Sequence, residues 1–319
     1  MFERGQLGQV PDDLQNQLKL SITGLLDFCD SPATYESFHI LKEREPTEAM
    51  RLGTAIHMAL LEPEKFKQTY YEEPETPPDN VLKTNDELKR LCEQHGLAKG
   101  GTKADLCKRL RDADVSDFMT HEEWVQEMSQ GRECLSPKEA RACKRLAERV
   151  KADSKLNYFM QGLDVEAKAW AMTKSGIVLK GRVDGFKLFE RPVGDYHGII
   201  IDVKKVPSVE QRLFQRRIWE AKLYIQAAGY VDLFKKALDK NFMFMWVCVE
   251  SSPPYRVKGY TADFGLLEAG HFEYHKYLAE FMNCFETNNW PIEHGGSMIE
   301  NASLPPWAWE QIDKEGVNK

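Results

Sequence analysis

The spacing of apolar residues divides the chain into helical and extended stretches. Ile22, Leu25, Leu26 and Phe28 recur at helical intervals behind Ser21, a fair N-cap. That helix must stop before Ser31-Pro32, because the residue ahead of a proline avoids helical geometry. A second helix is predicted over 47–61, with the small Gly53 and Ala55 leaving room for a close neighbour and His57 following them. Residues 165–172 alternate as a strand does. Ile177 and Leu179 alternate with polar neighbours, the pattern of a half-buried strand, and 199–201 form a β-branched run, the pattern of a strand covered on both faces. A long helical stretch over 208–238 starts basic and turns apolar. Strands follow over 242–249 and 255–260, separated by a Pro253-Pro254 turn, and then a helix over about 263–287. Residues 1–20 are polar and expected to be poorly fixed, and Leu304-Pro-Pro-Trp-Ala-Trp reads as an irregular aromatic clip over the core or a neighbouring subunit.

Residues 72–84 are a proline-rich linker, and the unit after them differs in character. Leu88 and Leu91 share a helical face, Gly96 is a helix stop, and Thr102 caps a second helix carrying Leu106 and Leu110. Residues 116–156 are again amphipathic and helix-forming, with Pro137 near the first turn of a helix through Ala140, Leu146 and Val150. The order helix, helix, insert, three strands, helix, two strands, helix makes the fold class α/β, with a mixed central sheet flanked by helices and a small helix-loop-helix insertion. The expected division is 1–78 as the N-terminal part of the main domain, 79–115 as the insert, and 116–319 as the remainder, with the core at 165–262.

Composition narrows this picture only a little. With 319 residues, 42% hydrophobic and 29% charged, the chain has the make-up of an ordinary globular domain. No apolar run is long enough to span a bilayer, the start of the chain has no signal-type segment, and seven scattered cysteines without a Cys-x-x-Cys pair point to a reducing cytoplasm. The net charge of −7 does not announce a nucleic-acid binder. Local balance does more: 83–111 carry eight Lys/Arg against four Asp/Glu, and 203–222 carry six against two, each a net +4. An acidic shell with two basic patches suits guidance of a polyanion to chosen places.

The chemistry concentrates in 176–204. Each of two predicted strands delivers a carboxylate near its C-terminal end, Asp184 and Asp202, and Lys204 lies two positions beyond the second. Residues i and i+2 of a strand share a face, so Asp202 and Lys204 stand together with Val203 opposite. Such a pair at a buried sheet edge is costly unless used, and the economical user is a divalent metal beside an attacked anion. Gln226 and Tyr230, four apart, share a face of the later helix.

In order, Ser31-Pro-Ala-Thr-Tyr35, Gly53-x-Ala-x-His57-x-x-x-Leu61-Glu62-Pro63, Glu166, Gly181-Arg-x-Asp184, Asp202-x-Lys204, Gln226-x-x-x-Tyr230, Pro253-Pro-Tyr255 and Leu304-Pro-x-Trp307 resemble the PD-(D/E)xK nuclease superfamily, in its RecB-like branch and nearest the RecE-type (exonuclease VIII) nuclease domain. The resemblance covers nearly the whole chain outside the insert. Asp-x-Lys alone would mean nothing; the ordered series carries the likeness. Lys205 departs from it, since small hydroxyl residues are common there. The insert resembles the SAP DNA-binding module through its leucines, Gly96-Leu97, Gly101-x-Lys103, Leu106 and Arg109-Leu110.

These resemblances imply a metal-dependent DNA exonuclease. Asp184, Asp202 and the Val203 carbonyl would hold Mg²⁺, with Mn²⁺ tolerated, and His57 would complete or flank the site. Lys204 would orient or deprotonate the attacking water, Glu166 would support a ligand, and Gln226 and Tyr230 would hold the DNA end. Lys99, Lys103, Lys108 and Arg109 of the insert, with Arg182, Lys205, Arg212, Arg216 and Arg217 of the main domain, would contact phosphates. The implied substrate is double-stranded DNA ends, degraded 5′ to 3′ to leave 3′ single strands for a single-strand annealing recombinase. A homo-oligomeric ring, no membrane association, and a bacterial cytoplasm with a phage-encoded origin complete the expectation. A structure-specific endonuclease on the same fold, and an inactive SAP-type DNA-binding protein, are the alternatives.

Overall fold

A computed structural model describes residues 2–295 and 304–315. Its centre is a seven-stranded mixed sheet. In spatial order the strands are Phe2–Leu7, Asp164–Thr173, Val178–Val193, Tyr196–Lys205, Phe242–Val249 and Val257–Thr261, and Lys19–Ser21 pairs separately with Val178–Val193. Adjacent strands are antiparallel except at Tyr196–Lys205 with Phe242–Val249 and at the Lys19–Ser21 pairing.

Local chemistry explains the first elements. The Ser21 side chain accepts from the Gly24 amide and starts helix Ile22–Asp30, and the Thr47 side chain accepts from the Met50 amide and starts helix Glu48–Leu61. One face of the sheet packs on Ile22–Asp30, Leu223–Leu238 and Phe264–Thr287 through Phe28, Phe234, Tyr274 and Phe281. The other face packs Ile199, Ile201, Val247 and Val249 against Ala55 and Ile56 of Glu48–Leu61 and Leu146 of Pro137–Ala152. Each fully buried side chain of this size contributes about 1.5–3 kcal/mol, so the two layers clamp the strands between them.

The helix-loop-helix at Asn85–Gln94 and Lys103–Asp112 has an apolar cluster of its own, formed by Leu88, Cys92, Leu106, Cys107 and Leu110. Both helices open with a reciprocal capping box, Thr84 with Glu87 and Thr102 with Asp105. A short parallel pairing of Val81–Leu82 with Met119–Thr120 closes the unit at its base. The preceding linker is anchored: the buried Glu73 lies 2.7 Å from His121 Nε2 and 3.2 Å from Lys83 Nζ.

Several expectations are corrected. Residues 1–20 are not loose: Phe2–Leu7 is an edge strand on Asp164–Thr173, and Leu14 is buried against Trp170 and Val178. Ile177, Val178 and Leu179 are all buried, because Val178 meets this N-terminal segment while its neighbours face the main core, so the strand is covered on both faces at its start and half-buried only beyond it, where Lys180 and Arg182 are exposed and Val183 is buried. The 208–238 stretch is two helices, Gln211–Glu220 and Leu223–Leu238, broken where Lys222 takes left-handed geometry at φ 52°. The aromatic tail is helical over Pro306–Glu315, with Trp307 and Trp309 exposed. Among the described residues no helix is long and apolar enough to cross a membrane.

Candidate active site

The site lies where two strands part. Val178–Val193 and Tyr196–Lys205 pair through Gly185↔Ile201, and the ladder ends there, so that Asp184 and Asp202 are the first residues beyond the last pair. From that fork one strand turns toward Lys19–Ser21, at Lys19↔Val178 to Ser21↔Lys180, while the other continues beside Phe242–Val249. Asp184 is therefore in the middle of a 16-residue strand and not near its end. The open edge is bridged by a side chain: the Val203 amide donates to Asp184 Oδ2 at 2.7 Å. A strand residue presents its N–H and C=O to the same side, so the Val203 carbonyl is also directed into the fork.

The two faces of the sheet supply the other walls. From Glu48–Leu61, His57 Nε2 comes within 2.9 Å of Asp184 Oδ1. The distance is met without hydrogen-bond alignment, which leaves that buried nitrogen without a partner. From Leu223–Leu238, Gln226 and Tyr230, both buried, face the same cavity of about 710 Å³. Tyr230 fits because residue 181 has no side chain, since a Cβ there would stand 2.8 Å from its ring. Asp202 is 5% exposed; its Oδ1 accepts from Lys204 Nζ at 2.9 Å, and its Oδ2 is buried with no partner.

Glu166 sits across from Asp184 on the neighbouring strand and holds an unusual backbone, φ 59° within a strand. Left-handed geometry at a non-glycine residue costs on the order of 1 kcal/mol or more and is held here by the flanking pairs. Its carboxylate meets Arg182 Nε at 2.7 Å. Ligating atoms of His57, Glu166 and Asp184 all lie within 4.8 Å of one another.

Burial is the main force pushing the Asp202 carboxyl up, to about 6; Asp184 adds to it and Lys204 opposes it. Burial pulls His57 down, but adjacent Asp184, with Glu166 and Asp202, outweighs this and leaves it above its ordinary value. Burial and the Asp202 charge raise Tyr230 far enough to keep its hydroxyl protonated. Buried acceptors left bare at Asp202 Oδ2 and Gln226 Oε1, beside the His57–Asp184 pair, fit a cation in the shared cavity. Carboxylate oxygens with one imidazole suit Mg²⁺ or Mn²⁺.

The structure brings together His57, Glu166, Asp184, Asp202, Val203, Lys204, Gln226 and Tyr230, with Arg182 and Lys205 on the same cavity wall. Lys205 Nζ donates to the Ala49 carbonyl. Arg212, Arg216 and Arg217 lie exposed on Gln211–Glu220, where Arg216 pairs with Glu220. On the insert, Lys99, Lys103 and Lys108 pair with Glu93, Glu122 and Asp112. Arg109 there donates to the carbonyls of Ala98 and Gly100, bracing the loop between the helices.

Sequence reasoning named Arg182 but missed Lys168 and Lys180, which extend it into a stripe of cations. Beyond the directly opposed Glu166 and Asp184, the same face of the strand pair carries Lys168 opposite Arg182, then Lys180, and all three line the cavity. The signal was present, since Lys180, Arg182 and Asp184 have i, i+2 spacing. It also missed Gly8, Gln9 and Val10, which wall one side.

A protein from Eubacterium rectale provisionally named an exonuclease has a solved structure that superposes with a TM-score of 0.52 over 98% of this chain and 100% of its own, at 11% identity. Rai1 of Scheffersomyces stipitis, solved with (3'-NADP)+ and calcium ion, reaches a TM-score of only 0.25 at 9% identity, over 92% of this chain and 77% of its own, and carries no argument. No curated protein sequence matches. The first likeness speaks for the fold, and the sequence itself supplies the family: residues 21–301 match the model of the PDDEXK-like domain of unknown function (DUF3799), and the chain belongs to that family.

Proposed function

We propose that the chain is a divalent-cation-dependent nuclease that degrades duplex DNA from its ends. Membership of a PDDEXK-like family and the matching fold support a nuclease. The observation that carries the rest is the fork, where carboxylates, an imidazole and a lysine converge on one cavity bordered by cations.

Phosphodiester hydrolysis needs a water aligned behind phosphorus and stabilisation of the negative charge that builds on oxygen. His57, Asp184, Asp202 and the Val203 carbonyl would hold Mg²⁺ or Mn²⁺, with Glu166 adjoining. Such a cation, when bound, makes water a usable nucleophile near neutral pH and neutralises charge on the phosphoryl group. Lys204, fixed 2.9 Å from Asp202, holds its positive charge beside the reacting group and orients the water. Asp184 keeps the fork open at a fixed width by accepting from the Val203 amide. Tyr230, whose hydroxyl stays protonated, and Gln226 offer a donor and amide groups to the DNA end. Lys168, Lys180 and Arg182 would carry the phosphates of the strand that leads away.

Action 5′ to 3′, a ring-shaped homo-oligomer and hand-over of 3′ single strands to an annealing recombinase belong to the same proposal and rest on the RecE-type resemblance. DNA docking by the insert belongs to it too and rests on the SAP resemblance, and a place in the cytoplasm rests on the scattered cysteines. End-labelled linear duplex and a covalently closed circle, each with Mg²⁺, test the reading. The linear substrate should release nucleotides from one labelled end while the circle stays intact, and Asp202→Ala should release none. Cutting of the circle would instead make the enzyme an endonuclease; equal release by Asp202→Ala would remove the site assignment.

A further inference from the structure

A second group of ligating side chains lies away from the fork, between Leu223–Leu238 and Phe264–Thr287. It consists of Asp232, His271 and His275, with ligating atoms within 4.8 Å of one another. The two helices come close because residue 270 is glycine: a Cβ there would stand 2.2 Å from the Tyr224 carbonyl oxygen. One turn along, His271 and His275 present their rings on one helical face, as i, i+4 residues do. Their Nε2 atoms are 3.0 Å apart.

Asp232 fixes the state of one ring. Its Oδ2 accepts from the Tyr274 hydroxyl at 2.5 Å and stands 2.7 Å from His271 Nδ1. The proton of a neutral His271 is therefore held on Nδ1, and its Nε2 lone pair is turned toward His275. A carboxylate behind one nitrogen of a histidine whose other nitrogen faces a second imidazole is how proteins orient metal-binding histidines. Two imidazole nitrogens held by one tetrahedral ion at about 2.0–2.1 Å stand about 3.3–3.4 Å apart, so the rings, 3.0 Å apart without it, need part by only a few tenths of an ångström to admit one.

We propose that His271 and His275 bind a transition-metal ion of the zinc class through their Nε2 atoms, with Asp232 as the positioning residue behind His271. The ligand set separates this site from the fork: imidazole selects Zn²⁺, Ni²⁺ or Cu²⁺, whereas the carboxylate-rich fork suits Mg²⁺ and Mn²⁺. Both ligands belong to Phe264–Thr287, so the ion would join two turns of that helix and reach Leu223–Leu238 only through the Asp232 contact behind His271. The ordinary alternative is a hydrogen bond in which His275 Nε2–H donates to His271 Nε2. A glutamine at 275 could keep that donation but would be a poor zinc ligand.

The test uses tag-free, chelator-stripped full-length protein in an Asp202→Ala, His57→Ala background, which weakens the fork as a competing site. Zn²⁺ titration by calorimetry should show one equivalent bound, and Zn²⁺ should raise the thermal midpoint. Adding His275→Gln should leave the metal-free midpoint unchanged and weaken Zn²⁺ binding at least tenfold, and Asp232→Asn should also weaken it. His271→Ala serves as a second variant, read on folded protein by circular dichroism. Zn²⁺ affinity and midpoint shift unaltered by both histidine changes would overturn the proposal.

Discussion

Asp184 accepts a 2.7 Å hydrogen bond from the Val203 amide across the gap between two parting strands. The same carboxylate faces His57 with its other oxygen. It therefore has one oxygen in the architecture and one in the cavity, and the two duties can be separated by substitution.

Asp184→Asn retains an oxygen for the Val203 amide but loses the charge, so the protein should unfold near the wild-type urea midpoint while cleavage falls at least about a hundredfold, the scale of losing one electrostatic stabiliser. Asp184→Ala strands the amide as well and should cost about 1–3 kcal/mol more in unfolding free energy. Equal midpoints for the two variants would show that the bridge contributes nothing to stability.

Asp202 makes the stability of the metal-free protein fall with rising pH. Burial holds its carboxyl up to about 6, against about 3.9 in an unfolded chain. Below both values each state is protonated. Between them the folded protein keeps a proton that the unfolded chain has released. Above them the folded state carries a buried charge that disfavours it. Relative to Asp202→Asn, the wild type should lose thermal midpoint between about pH 4 and pH 6, and Mg²⁺ at pH 8 should restore it in the wild type alone. A difference between the two proteins that is flat across this range would contradict the assignment.

Gly181→Ala should push the Tyr230 ring and the Leu233 side chain out of place, since the added carbon would stand 2.8 and 3.0 Å from them. Overpacking of this kind costs about 1–3 kcal/mol. Adding Tyr230→Phe will not relieve it, because the ring and not the hydroxyl is in the way; Tyr230→Leu should restore part of the stability. Denaturant unfolding of the three proteins decides this.

Lys168 and Lys180 offer a test of the cation stripe without touching the fork. The double change to alanine should weaken DNA binding at all sequences and lower the salt slope by about 2, one unit per lost phosphate contact. Binding of Mn²⁺ should be unaffected. Fluorescence anisotropy at several salt concentrations, on a duplex with Ca²⁺ in place of Mg²⁺, reads both slope and affinity; an unchanged slope would take the stripe off the DNA path.

What the sequence made legible was local. Ser21 and Thr47 start helices because their own side chains satisfy the first free amides. The apolar run at Phe242–Val249 is a strand whose two faces are buried in the two core layers. The pairing of Asp202 with Lys204 follows from strand geometry. What was hidden depends on distant partners. No glycine or proline announces the break at Lys222, whose ammonium rests 4.8 Å from the centre of the Trp219 ring. Residues 2–7 join the sheet through backbone hydrogen bonds, which polar side chains neither encode nor prevent. The backbone of Glu166 is set by strands on either side of it, so no feature of its own neighbourhood marks the residue as unusual.

Gly8, Gln9 and Val10 form one wall of the cavity. The stretch shared with the family begins at residue 21, so this wall is built from chain outside the matched span. The reacting groups thus lie inside the matched span and one wall of their enclosure lies before it. Trimming the first fourteen residues, which looks harmless on paper, would uncover Trp170 and Val178 and change the enzyme's aperture before touching its chemistry.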